Sequence, residues 1–167
     1  MEYAILFLPL IGAIFGYLAK YFGDLASQLI TTLSVCVSAI LSIVLFYNGI
    51  FHSIYSNNLI FEWISSGNFV VNWSINIDPL SSIMLVVVTV ISALVHIYSI
   101  GYMKHDPNKP RFMSYLSLFT FAMLTLVVSD NFLQLFLDGK ELVYLHICSL
   151  VFGIKKKRRI TQQLKLL

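Results

Sequence analysis

Between Leu80 and Ile100 the chain carries no formally charged side chain, and only His96 titrates near neutral pH. About 20 such residues, rising about 1.5 Å each, cover about 30 Å, the thickness of a bilayer's hydrocarbon core. The residues feeding this run behave differently. From Phe69 to Ile77, Val71, Trp73, Ile75 and Ile77 alternate with Asn72, Ser74 and Asn76, the period-two pattern of a strand with one buried face. Asp78-Pro79 then switches the mode, because Asp is a good N-cap and Pro is pre-set for a first helical turn. A surface strand therefore leads straight into a membrane-spanning helix. Composition agrees: 58% of the chain is hydrophobic and 11% charged, against about 25% charged in a soluble domain. Mean hydropathy is +0.83. The expected class is an all-α integral membrane protein.

Four spans and a weaker fifth are expected. Span one is about Ala4 to Leu18, and Gly12 and Gly16 form a small-residue pair that lets helix backbones approach closely. It has no basic flank or small-residue cleavage site, so it reads as a span rather than a removable signal. Span two is about Leu25 to Tyr47. Its Ser27, Thr31, Thr32, Ser34, Ser38 and Ser42 read as helix-packing hydroxyls, with a polar lining as the alternative. Asn48 to Asp78 is the longest polar connection. Phe61 to Ile64, a Ser65–Asn68 turn and the Phe69 strand form a β-hairpin on the membrane surface, and Trp63 and Trp73 suit that interface. Span three runs from Pro79 to about Ile100 and span four from Phe112 to Val128. Ser129-Asp130-Asn131 is a very short turn into Phe132–Leu137, where a fifth span begins.

Lys20, Lys104, Lys109 and Arg111 follow spans one and three, while the hairpin connection holds no Lys or Arg. The positive-inside rule places the N-terminus and hairpin outside and the basic loops inside. Five of the positive charges lie in the run Lys155–Arg159. Beside a membrane segment that run suits an anionic lipid surface, and the rest of the chain gives no reason to expect a nucleic-acid partner. Cys36 and Cys148 lack metal-ligand spacing and say nothing of redox compartment.

No phosphate loop, His/Cys ligand cluster or nucleophile elbow is present in the sequence, and no cofactor is expected. His52, His105 and His146 are scattered. His96 stands apart as an ionisable group near the inner end of a span, and Asp138, Lys140, Glu141 and His146 have the composition of an intramembrane proton relay. His96 and Glu141 are the proton-path candidates. A centre-placed Asp or Lys costs about 2.5 to 3.5 kcal/mol on insertion, against about 0.3 to 0.6 gained per Leu, Ile, Val or Phe, which makes the fifth span marginal.

Several motifs occur in a family's order. They are Leu6–Gly16, Asn72-Trp73-Ser74-Ile75-Asn76-Ile77-Asp78-Pro79-Leu80-Ser81, His96-Ile97-Tyr98-Ser99-Ile100-Gly101-Tyr102-Met103, Pro110–Leu116, and Leu118–Leu124 through Ser129–Phe136. On these residues the chain resembles the N-terminal part of the antiporter-like subunit L, or chain 5, of respiratory NADH–quinone oxidoreductase (complex I). The resemblance covers Met1 to Leu137. It implies a subunit that resembles sodium–proton antiporters, moves protons coupled to quinone reduction elsewhere, binds no redox cofactor itself, and assembles with other complex I membrane subunits. It implies a bacterial inner membrane or, alternatively, a mitochondrial inner one.

The resemblance stops at Asp138. The family continues Gly-Trp-Glu-Gly-Val-Gly-Leu, and its Glu is the intramembrane proton-path carboxylate. Lys140 stands at that position here, with Glu141 one residue on and about 100° around a helix. Asp138-Gly-Lys-Glu-Leu-Val-Tyr144 can be encoded GAT GGG AAG GAG TTG GTT TAT. Read one base earlier, with a preceding G, this spells the family motif. His146 to Ile154 can likewise yield Ser-Tyr-Leu-Leu-Ile-Gly-Phe-Trp-Tyr. One base lost at the Leu137 codon would produce residues 138–167, and they form a separate out-of-frame tail on this expectation. The chain is then an inactive fragment. The alternatives are a small membrane interaction protein or half of a split antiporter or complex I subunit.

Overall fold

The computed structural model of the protein describes residues 2–18, 23–52, 56–66, 69–103 and 109–147. The elements run α1 (Glu2–Leu18), α2 (Asp24–His52), β1 (Ser56–Ser66), β2 (Phe69–Ile77), α3 (Pro79–Tyr102) and α4 (Lys109–Val127). Residues 132–147 form a further helix, α5. The fold is thus helical with one two-stranded antiparallel hairpin. Three helices, α2, α3 and α4, are long and apolar enough to cross a membrane, and α1 is a shorter apolar helix.

Local chemistry explains the boundaries. At the start of α3, Asp78 Oδ1 accepts from the Ser81 amide at 2.7 Å, and Ser81 Oγ accepts from the Asp78 amide at 2.8 Å. This capping box satisfies two orphan donors of the first turn. Its Asp-Pro start was legible in the sequence, whereas the reciprocal Ser81 contact was not. Two other boundaries shift. Helix α2 continues five residues past Tyr47 to His52, so the connection to β1 is much shorter than expected. Tyr47 and Phe51, one turn apart, meet with ring centroids 4.4 Å from each other and planes tilted by 33°, and this pair extends the helix. Helix α4 begins at Lys109 rather than Phe112, because a Pro110 in the first turn forfeits no intrahelical bond.

The hairpin is longer than the alternation in β2 suggests, since β1 starts at Ser56. Pairing runs from Ser56 opposite Ile77 to Ser66 opposite Phe69, with irregularities between Leu59 and Phe61 and between Glu62 and Ile64. Such bulges let an irregular pattern in β1 pair with a regular one in β2. Trp73 stacks on Phe61 and meets Trp63 edge-on, with centroids 5.9 and 5.4 Å away.

The buried face of β2 closes one end of the helix bundle. Ile75 and Ile77 pack with Ile5 and Leu6 of α1, Leu85 of α3, and Leu124 and Val128 of and after α4. The start of α1, the start of α3 and the end of α4 therefore meet under the hairpin. α1 packs between α2 and α4, and α2 packs on α3. Outward faces remain apolar, among them Phe7, Ile11, Ile14 and Leu18 on α1, as suits contact with lipid.

Candidate functional site

His96 lies on α3 and is fully buried. Its Nδ1 sits 2.7 Å from the Ser92 carbonyl oxygen one turn back. A carbonyl only accepts, so in this arrangement Nδ1 carries the proton and Nε2 keeps the lone pair. Nε2 is buried and finds no hydrogen-bond partner among the described residues. The ring is thus held by one nitrogen and offers the other as a proton acceptor.

The second candidate is elsewhere. Glu141 is exposed on α5, as is Lys140, whose Nζ lies 4.4 Å from the Phe136 ring centroid. Both α3 and α5 start at the hairpin end. His96 is 17 residues into α3, or about 25 Å of rise, while Glu141 is nine into α5, or about 14 Å. Different helices and different depths keep them from forming one site. The face of α5 turned inward carries Gln134 and Asp138, one turn apart and both buried. Gln134 Oε1 and Asp138 Oδ2 have no partner among the described residues. His146 lies beside Phe119 of α4, at 6.2 Å between ring centroids. His105, Cys148 and the Lys155–Arg159 run lie outside the described residues, and so does the side chain of His52.

The hydroxyls of α2 pack helices together. Ser27 Oγ donates to the Gly16 carbonyl at 2.6 Å and Ser38 Oγ to the Ile5 carbonyl at 2.8 Å. Ser42 and Thr89 share a 2.7 Å hydrogen bond between α2 and α3. From α4, Ser117 Oγ donates to the Pro9 carbonyl at 2.7 Å. Pro9 has no amide hydrogen to offer Ile5 four residues before it. Ser38 supplies the missing donor across the interface. The Gly12–Gly16 pair makes this approach possible. A Cβ at Gly12 would lie 2.7 Å from the Ser34 Cβ and nearer still to its Oγ, and one at Gly16 would collide with the Thr31 methyl group.

The short turn after α4 does more than its sequence suggests. The Asp130 carboxylate accepts from Ser74 Oγ at 3.0 Å through Oδ2 and from Asn76 Nδ2 at 3.1 Å through Oδ1. Asn131 Nδ2 donates to the Asn72 carbonyl at 2.6 Å. The Asn76 amide donates to the Val128 carbonyl at 3.1 Å, and Ser129 bridges Ile75 in antiparallel fashion. The polar row of β2, which a half-buried strand would turn to water, is in fact its attachment to α4. A carboxylate and an amide placed opposite a row of Asn and Ser is the signal, but only the fold sets them opposite.

Comparison with known proteins bears on what this arrangement belongs to. The family model described as NADH-Ubiquinone oxidoreductase (complex I), chain 5 N-terminus matches residues 63–113. NADH-ubiquinone oxidoreductase chain 5 of Arabidopsis thaliana is 49% identical over 138 residues, 82% of this chain and 21% of its own length. The chain 5 protein of Phytophthora infestans is 50% identical over 133 residues, 79% of this chain and 20% of its own. A Neurospora crassa protein called probable intron-encoded endonuclease 4 is 44% identical over 137 residues, 81% of this chain and 25% of its own. The chain spans about a fifth of the length of the chain 5 relatives it matches. It belongs to the NADH-ubiquinone oxidoreductase chain 5 family, whose N-terminal stretch it carries.

Proposed function

We propose that residues 1–137 are the N-terminal membrane part of a proton-translocating complex I subunit, and that residues 138–167 are translated out of frame. The chain alone then moves no protons. The supporting observation is how much of the chain is alike. The matched lengths, 138 and 137 residues for Arabidopsis and Neurospora, equal within one residue the stretch that ends at Leu137. The packing of α5 supports the same break. Asp138 is buried with an oxygen that has no partner among the described residues, where the family motif puts Gly. A Cβ on Gly139 would meet nothing within 4 Å, where the motif puts Trp. The surroundings suit a small residue followed by a large one, the reverse of what this chain supplies.

On this basis α1 to α4 are spans and α5 is a marginal fifth. The N-terminus and hairpin face outside, in a bacterial inner membrane or a mitochondrial inner one. The partners are lipid and other complex I membrane subunits, with no nucleic acid and no cofactor. His96 is a proton acceptor within the complete subunit, and Glu141 has no selected role. The gene's nucleotide sequence across the Leu137 codon tests the proposal: the neighbouring frame is expected to spell Gly-Trp-Glu-Gly-Val-Gly-Leu. Proteoliposomes holding only this chain are expected to show no proton flux. Flux, or codons that spell no family motif, would overturn it.

The Neurospora pair favours one second reading. Chain 5 and the intron-encoded endonuclease protein of that fungus match this chain equally, at 44% over 137 residues, yet these residues are 19% of one and 25% of the other. Chain 5 sequence can therefore stand beside a different remainder, and residues 138–167 would then be an intervening sequence translated onward. DNA that spells no family motif at the break, but resumes it further downstream, identifies this case.

A further inference from the structure

We propose that Asp130 and Asn131 are positioning residues that fix the depth and rotation of α5, so that position 140 comes to rest near the middle of the bilayer. The argument rests on the reading of α5 as a membrane helix and of position 140 as the family's proton-path position.

Four hydrogen bonds tie residues 128–131 to β2: Val128 O to the Asn76 amide, both Asp130 oxygens to Ser74 and Asn76, and Asn131 Nδ2 to the Asn72 carbonyl. β2 cannot slide in turn. Its Ile75 and Ile77 are sunk among Ile5, Leu85 and Leu124, and Asp78 caps α3 directly after it. On the other side the clamp passes straight into α5, because the Leu135 amide donates to the Asn131 carbonyl at 2.9 Å. Nothing flexible separates the fixed strand from the first turn of the helix. Position 140 lies nine residues beyond Asn131, about 14 Å along a helix axis, and half of an approximately 30 Å hydrocarbon core is about 15 Å.

Rotation is set by the same bonds. A slip of one residue at the clamp turns the helix by about 100° and moves it about 1.5 Å. In the present register Gln134 and Asp138 point inward, and position 140 faces away from α1 to α4. A helix as weakly apolar as α5 has little of its own to hold this depth, since the insertion gain from its Leu, Ile, Val and Phe is nearly cancelled by its charges. Polar bonds at its outer end supply what hydrophobic matching lacks.

The test measures depth and needs no proton flux, so its failure is distinct from failure of the proton-path reading. The full chain carries Cys36→Ser and Cys148→Ser, with a spin label at Lys140→Cys or, as a control on α3, at Leu94→Cys. Collision with oxygen and with a water-soluble nickel chelate reports label depth in phospholipid vesicles. The label at 140 is expected about 14 Å below the interface. Asp130→Ala with Asn131→Ala is expected to shift or broaden that depth by about a helical turn, about 5 Å, while the label at 94 stays put. Asn131→Ser, which keeps a donor, is expected to restore part of the shift. A water-exposed label at 140 in the intact chain overturns the proposal. An unchanged depth in the double variant also overturns it, as does an equal change at 94, which would make the clamp a general stabiliser.

Discussion

Pro9 removes an amide hydrogen from α1, and Ser38 of α2 gives one back to the carbonyl left bare. This exchange predicts a non-additive pair. Ser38→Ala alone is expected to cost about 1 to 2 kcal/mol, because it strands a buried acceptor. In a Pro9→Ala background the helix bonds Ile5 itself, and the same substitution is expected to cost little. Reversible unfolding of the four variants in detergent closes the cycle, and equal costs in both backgrounds would break the link. At Gly12, substitution by Ala forces a Cβ into Ser34 and is expected to cost about 1 to 3 kcal/mol. Asp78 titrates outside the spans. Its bonds to the Ser81 hydroxyl and amide hold its carboxyl below the usual carboxylate range. A depressed pKa contributes stability that is present above the unfolded value and is lost as pH falls through the folded one. The stability gap between wild type and Asp78→Asn is therefore expected to be constant near neutrality and to shrink in acid, below about pH 4.

At the scale of elements, the hairpin behaves as a lid sewn down on both faces. Its apolar face is driven by burial: Ile75 is 2% exposed, and Ile75→Ala is expected to cost about 2 to 5 kcal/mol. Limited proteolysis should then cut the hairpin before any helix, whereas a hairpin that stays resistant would mean the polar clamp holds it alone. The strand itself was legible in the sequence because period two is a local property. Its second attachment was not. Asn72, Ser74 and Asn76 look alike whether they face water or the Asp130 carboxylate, and more than 50 residues separate the partners. The helix ends at His52 and Lys109 are hidden in the sequence for a related reason. Polar residues mimic the end of a helix in the sequence, although an aromatic pair or a first-turn proline lets it continue.

For the whole molecule, the hairpin end and the opposite end lie on different sides of a membrane if the basic loops set orientation. A membrane-impermeant maleimide is expected to label Ser65→Cys from the outside of intact cells and Lys109→Cys only after permeabilisation, in a background without Cys36 and Cys148. The opposite pattern would invert the topology. The apolar runs, the hairpin and the family were legible because lipid-facing composition and contiguous motifs need no tertiary information. A proton path was not legible in that way. His96 and Glu141 are both ionisable residues in apolar sequence, and only the fold shows one buried with a nitrogen that has no partner among the described residues and the other exposed at another depth.

The fastening of β2 by Asp130 also orders events in time. Synthesis proceeds from the N-terminus, so the ribbon is made more than 50 residues before the carboxylate that secures it. A nascent chain halted before residue 130 carries a ribbon whose Ser74 and Asn76 lack the Asp130 carboxylate, and a bundle whose hairpin end stays open to proteases. Ribosomes must pass that codon before quality control meets a finished domain.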